Sequence, residues 1–290
     1  MQQATILIVG CGDVGSTLGQ MLLNQGHKVF GLRRNINQLP QGIQGISADL
    51  TNLESLKAAL ADLDECHILV YAAAASSHDE AGYEAAYVTG VQNTLQALPT
   101  KPKHLFFTSS SGVYHQNDSD WVDETSPCEP QSFSGKIMLK GEQQVLSADI
   151  PGTVVRFSGI YGPGRNHLIN RVRRGDIAPA EPQHFSNRIH RDDCAGILNF
   201  LISKVLNDEA IDSYYLASDS DPVTMHEITT WLAKKTNSQI TSETVSRRAG
   251  SKRCSNNKLL KAGYTFKYPS YTEGYSDLLD LDQKEDDKSN

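Results

Sequence analysis

No apolar run in the chain is long enough to cross a bilayer: the longest, such as residues 6–9 and 68–70, fall far short of the roughly 20 residues a span requires. Cysteine is scarce, five in 290 residues at positions 11, 66, 128, 194 and 254, with no CxxC pair and no metal-ligand spacing. That argues against a disulfide framework and a metal site, and suits reduced thiols in a reducing compartment. Positive charge is not in excess either, with 27 Lys and Arg against 34 Asp and Glu for a net charge of −7. Asp277, Asp280, Asp282, Glu285, Asp286 and Asp287 against Lys284 and Lys288 supply −4 of it, so the body is only mildly acidic. Such a body has no whole-molecule field to hold nucleic acid. Met1-Gln2-Gln3 lacks the basic start and apolar stretch of a secretory leader, so a cytoplasmic, non-membrane protein is expected.

What is present is alternation. Residues 5–9, 28–32, 42–47, 67–71, 105–108 and 153–157 are strand-like runs separated by segments of helical period. This predicts an α/β fold, a doubly wound parallel sheet of Rossmann type. Val14, Leu18, Met21 and Leu22 share one helical face, and Thr51-x-x-Glu54 reads as a capping box opening a helix through Leu53, Leu56, Ala59 and Leu60. Beyond Phe157 the pattern loosens through Gly162-Pro163-Gly164, until a second box, Thr224-x-x-Glu227, leads into Ile228, Trp231 and Leu232. The expected organisation is a nucleotide-binding domain over 1–158 with a returning segment at about 186–202, and a smaller lobe over 159–185 and 203–275. An acidic flexible tail is expected over 276–290.

The first strand runs into Gly10-Cys11-Gly12-Asp13-Val14-Gly15 and directly on into an amphipathic helix. In that context GxGxxG predicts a pyrophosphate cradle: Gly10 for the tight turn, Gly12 for close approach of phosphates, and Gly15 for close packing of helix on strand. The helix N-terminus adds amide donors and a positive dipole. At the end of the second strand, where an NAD site carries an acid for the ribose 2′-hydroxyl, the chain instead reads Leu32-Arg33-Arg34. Two guanidiniums there suit a 2′-phosphate, which favours NADP over NAD.

Further strings follow in the order of the extended short-chain dehydrogenase/reductases, and the chain resembles their NAD-dependent epimerase/dehydratase family over nearly its whole length. Ala48-Asp49-Leu50 is similar to the family's aspartate after strand three, which implies contact with the adenine end. Tyr71-Ala72-Ala73-Ala74 resembles the small-residue turn against the cofactor. Thr108-Ser109-Ser110-Ser111-Gly112-Val113-Tyr114 resembles the active-site segment and implies Ser110 as the catalytic Ser/Thr. Arg156 with Ile160-Tyr161-Gly162-Pro163-Gly164-Arg165 is similar to the segment bridging nicotinamide and substrate. His190-Arg191-Asp192-Asp193 resembles a turn in which the histidine is structural.

The departures carry as much information as the matches. The glycines stand as GxGxxG where most extended members have GxxGxxG, and the family's helix asparagine falls on Gly90. The YxxxK pair is broken: in Gln131-Ser132-Phe133-Ser134-Gly135-Lys136 a serine stands four residues before the lysine, and the register on Lys140 only puts Lys136 there. A serine hydroxyl cannot replace a tyrosine whose pKa is tuned toward the working pH. Lys136 is expected still to hold the cofactor ribose. Tyr161 and Tyr114 are the candidate replacement acids, each with packing as its other reading. Arg165, Arg171, Arg173 and Arg174 either contact a pyrophosphate or form a solvated face. The resemblance thus implies an NADP-binding oxidoreductase or epimerase-like protein acting by hydride transfer on a nucleotide-sugar or similar small molecule. Ser110, Lys136 and Tyr161 are its site candidates; the oligomeric state stays open, a homodimer being the state that the resemblance suggests, since family members often dimerise. The broken pair motivates a rival: a sensor or scaffold that binds NADP(H) and catalyses nothing.

Overall fold

The computed structural model describes residues 3–245 and 251–289. Met1 and Gln2 of the expected leaderless start, and Asn290 of the expected tail, lie outside them. Seven strands make one parallel sheet: β1 (Thr5–Val9), β2 (Lys28–Leu32), β3 (Gln44–Ile46), β4 (Ile68–Tyr71), β5 (His104–Ser110), β6 (Gly152–Phe157) and β7 (Tyr214–Ala217). Their order is β7-β6-β5-β4-β1-β2-β3. The chain therefore starts inside the sheet and reverses direction beside β1, the switch point at which such sheets bind ligands beyond the carboxyl ends of their strands. Strand β1 pairs in register with both neighbours, Val9 opposite Leu32 on one side and Tyr71 on the other. Residues 6–9 are wholly buried, as a strand covered on both faces must be.

Helix α1 (Asp13–Asn24) follows β1 and buries Gly15, Leu18, Gly19 and Leu22, close to the predicted face. Helix α2 (Leu53–Leu60) corrects the first capping box: Asn52 is the cap, its side chain accepting from the Ser55 amide. The Thr51 hydroxyl instead donates to Asp49 at 2.8 Å, and Glu54 pairs with Lys57. Asparagine is at least as good a cap as threonine, and it stands one residue nearer the apolar face. The second box forms as expected, with Thr224 and Glu227 capping each other at the start of helix α8 (Met225–Lys235).

The residues divide into two compact units. The first holds 1–114, 128–156 and 194–215; the second holds 115–127, 157–193 and 216–290. The returning segment is thus 194–215 where about 186–202 was expected: residues 186–193 belong to the second unit, and the stretch runs on into the start of β7, which the sequence reading assigned to the smaller lobe. The tail is also corrected. Residues expected to be flexible from 276 onward belong to a helix, Tyr271–Ser289. Tyr275, Leu278 and Leu279 are buried in a cluster with Ile169, Val172, Ile228 and Leu232, and Asp282 receives hydrogen bonds from Asn166 and Arg173. Acidic composition hid an apolar stripe at helical spacing.

Candidate dinucleotide site

The turn after β1 is built from two backbone constraints. Gly10 has φ +78°, and a Cβ on it would stand 2.2 Å from the Ala73 Cα, so the turn lies flat against the chain leaving β4. The Gly10 and Cys11 amides both donate to the Leu32 carbonyl, at 2.9 and 3.1 Å, which fastens the turn to the end of β2. Gly12 is different: a Cβ there would meet nothing nearer than the Gly10 carbonyl at 3.9 Å. It precedes the first turn of α1 and carries no side chain to cap it, so the amides of Val14 and Gly15 are not served by a capping side chain. A Cβ on Gly15 would come within 3.0 Å of Ile8, so its absence permits the close packing of helix on strand. A cradle that a side chain at position 12 would fill, at an uncapped helix N-terminus, fits a diphosphate.

Arg33 lies beside this turn. Its guanidinium donates to the Cys11 carbonyl at 3.2 Å and to the Gln38 side chain. Arg34 is exposed. Asp49 accepts from the Thr51 amide and hydroxyl, and these bonds together with Arg34 hold its carboxyl below its ordinary value. The Leu50 carbonyl accepts from the Asn93 side chain at 2.8 Å. Ala72 bonds the Val9 carbonyl through its amide, Ala73 is buried and Ala74 is exposed.

The segment after β5 is held from below. Ser109 donates to buried Glu142 at 2.5 Å; Glu142, on helix α5 (Phe133–Leu146), also accepts from Arg156 at 2.7 and 3.0 Å, and Arg156 donates to the Tyr114 hydroxyl at 3.0 Å. Burial alone would lower the Arg156 pKa, but its bonds to Glu142 outweigh that and hold it fully charged. Arg156, read as bridging nicotinamide and substrate, is in fact the partner of a buried carboxylate. The Tyr114 hydroxyl is committed to it. Ser110 is half-buried, and its Oγ accepts from the Gly112 amide at 3.1 Å, leaving its own proton to donate.

Helix α5 does not present the expected pair. Ser132 is its N-cap, accepting from the Gly135 amide at 3.2 Å. Lys136 is exposed, whereas the buried face holds Gly135, Ile137, Met138, Gly141, Glu142 and Val145. Lys136 is two residues, and so about 200° around the axis, from Met138, the residue one turn before Glu142 on the sheet-facing stripe. Lys140 is exposed and pairs with Glu84. At Gly90 an added Cβ would meet the Tyr71 hydroxyl at 2.4 Å, and that hydroxyl donates to the Ala86 carbonyl within a π-helical turn, Ala85–Thr89. The tyrosine at the end of β4 therefore occupies the room a larger residue at position 90 would need.

In the second unit Tyr161 is 5% exposed, stacked on Tyr275 with centroids 4.6 Å apart, and its hydroxyl has no partner among the described residues. Burial, with Asp219 and Tyr275 adding to it, pushes its pKa upward, opposite to what an acid-base tyrosine needs. It is a core residue. His190 Nδ1 accepts from the Asp192 amide, and burial lowers its pKa, so its ring is a neutral member of the aromatic stack with Tyr161 and Tyr268. Asp193 accepts from the Tyr264 hydroxyl and from the amides of Lys267 and Tyr268. Arg171 is bound to Asp176 and Arg173 to Asp282, so these two arginines already have carboxylate partners.

Gln38, only five residues from its partner Arg33, carries no motif that marks it; Glu142 and Asn93 went unread in the sequence because their partners lie far along the chain. So did the ring cluster of His78, Tyr83, Tyr87 and Phe133 around the first residue of α5. Only the Glu142 spacing from Met138 and Gly135 on one helical face could have pointed to it. Among the described residues no group of three or more His, Cys, Asp or Glu is placed to hold a metal, and no helix is long and apolar enough to cross a membrane.

The profile of the NAD dependent epimerase/dehydratase family matches residues 6–180. A solved protein of Methylobacillus flagellatus, classed as an NAD-dependent epimerase/dehydratase, is 38% identical with a TM-score of 0.84, covering 97% of this chain and 100% of that one. The dTDP-6-deoxy-L-talose 4-dehydrogenase (NAD(P)(+)) of Kitasatospora kifunensis is 28% identical over 168 residues, 54% of this chain and 52% of that one. The chain spans about half the length of the curated relatives it matches. The UDP-glucose 4-epimerase of Thermus thermophilus, solved with NAD, has the same fold at 19% identity, with a TM-score of 0.78 over 93% of this chain and 96% of that one.

Proposed function

The chain belongs to the NAD dependent epimerase/dehydratase family, and from that premise we propose that it binds NADP at the β1–α1 turn and acts as an oxidoreductase or epimerase-like protein. Its substrate would be a nucleotide-sugar or a similar hydroxylated metabolite. The observation that carries this reading is Gly12, whose missing side chain leaves an uncapped helix start beside Arg33. Gly10 and Cys11 shape the turn; Gly12, Asp13, Val14 and Gly15 present the helix start to the diphosphate; Arg33 and Arg34 address the 2′-phosphate. Asp49 and Leu50 lie toward the adenine, and Ala72, Ala73 and Ala74 form a wall. When bound, the nicotinamide supplies or takes up a hydride. Ser110 donates its proton to the reacting oxygen, the role its Gly112 bond leaves open.

A second reading has its own support. Ser132 is a cap, Lys136 is exposed, Tyr114 serves Arg156 and Tyr161 is sealed in a core. These observations favour a protein that binds the dinucleotide without turnover. Calorimetry with NADP and NAD, followed by a turnover assay on a panel of UDP- and dTDP-sugars, separates the two. NADP binding with turnover supports the first, and binding without turnover the second; no heat with either dinucleotide overturns both. Replacing Arg33 and Arg34 by Ala is expected to weaken NADP far more than NAD. Equal losses would refute the 2′-phosphate assignment.

A further inference from the structure

The end of β2 leads into a short turn whose position is set by two missing side chains. A Cβ on Gly31 would come within 3.0 Å of the Leu39 side chain, and one on Gly45 within 2.9 Å of Ile36. Leu39 therefore packs over β2 and Ile36 over β3. Between them lies the helical turn Ile36–Gln38, closed by the Leu39 amide on the Ile36 carbonyl at 3.0 Å. Asn35 caps it, its side chain accepting from the Asn37 amide at 3.2 Å. The connecting backbone is tied as well: the Arg33 amide donates to the Ile46 carbonyl at 3.1 Å, and Ser47 Oγ to the Arg34 carbonyl at 3.1 Å. The turn thus brings the Gln38 side chain to the Arg33 guanidinium.

Arg33 is held at two points. One terminal nitrogen donates to the Cys11 carbonyl at 3.2 Å, and the other donates to Gln38 Oε1. Two fixed nitrogens of a planar group set its orientation, and the remaining N–H groups of the guanidinium stay open. Neither acceptor is charged. Arg156, Arg171 and Arg173 each bond a carboxylate, whereas Arg33 has no such partner among the described residues. An arginine that served only to tie two turns together would be better matched by an acid at position 38, which can take a bidentate bond. A neutral acceptor orients the guanidinium and leaves its charge for an incoming anion, at the residue just before Gly12.

On the NADP reading of this same turn, on which the inference rests, we propose that Gln38 is a positioning residue for cofactor choice. It holds the Arg33 guanidinium in the plane in which it meets the 2′-phosphate, and so helps to set the preference for NADP over NAD. A free arginine side chain must be immobilised when it binds, at a free-energy cost that a side chain already held in place avoids.

Calorimetric titration of the full chain with NADP and with NAD gives two dissociation constants and their ratio. Gln38 is exposed, so Gln38→Leu is expected to keep the wild-type thermal midpoint. It is expected to weaken NADP roughly 2- to 10-fold, the effect of leaving one long side chain to be ordered on binding, and to leave NAD unchanged. Gln38→Glu keeps an acceptor but adds a negative charge, and is expected to weaken NADP further while again sparing NAD. In an Arg33→Ala background, Gln38→Leu is expected to change neither constant, because the two residues act as one unit. An unchanged ratio in Gln38→Leu, no weakening of NADP by Gln38→Glu, equal losses for both dinucleotides, or a full further loss in the Arg33→Ala background would each overturn the role of Gln38 while leaving the NADP reading intact. A wild-type protein that binds NADP no more tightly than NAD would overturn the NADP reading itself, and the role of Gln38 with it.

Discussion

Gly10 and Gly12 stand two residues apart in one motif and do different work. Position 10 is closed by the backbone at Ala73 and has a positive φ, so any side chain there meets main chain that cannot move aside. Position 12 faces open space, so a side chain there is tolerated by the fold and obstructs only a ligand. Gly10→Ala is therefore expected to destabilise the protein by roughly 1–3 kcal/mol, the usual result of overpacking, read as a lower thermal midpoint. Gly12→Val should leave the midpoint almost unchanged while weakening NADP binding by roughly tenfold or more, about 1.4 kcal/mol. Equal thermal losses in the two variants would show that the cradle is structural only. The same scale explains Tyr161: a tyrosine in a promising string became a core ring because Tyr275, more than a hundred residues later, stacks on it.

At the scale of elements, α5 is governed by what its buried face must satisfy. Gly135 fits against the Gly112 carbonyl, where a Cβ would come within 2.8 Å, and Gly141 fits against the Tyr87 carbonyl. Glu142 then meets Ser109 and Arg156. These three contacts fix the rotation of the helix, and Lys136 is turned outward as a consequence. Removing one member of a buried ion pair strands the other, so Arg156→Met is expected to cost about 3–5 kcal/mol, whereas the double change Arg156→Met with Glu142→Leu should recover much of that. Urea unfolding of the single and double variants measures it; additive losses would mean that the pair is not coupled. Helix α2 shows the local counterpart, where two adjacent residues could both cap and the one nearer the apolar stripe does.

On the scale of the whole molecule, each unit draws its residues from several separate stretches of chain, and the last helix belongs to the core of the second. Ending the chain at Ser276 removes Leu278 and Leu279 from that core. At roughly 1.5–3 kcal/mol for each fully buried leucine, the thermal midpoint should fall by on the order of 10 °C. An unchanged midpoint would restore the view of residues 276–290 as a dispensable tail.

The sequence by itself determined six of the seven strands of the sheet, the glycine turn after β1, the Thr224 cap and the family. Each is written in residues a few positions apart, whose backbone preferences and periodicity act before any distant part of the chain arrives. Tertiary structure alone decided that Arg156 belongs to Glu142, that Gly90 makes room for Tyr71, that Tyr161 is sealed by Tyr275 and that an acidic tail hides a buried stripe. The physical reason is that burial and pairing depend on which side chains are brought within a few ångströms across long loops, and no local preference encodes that choice.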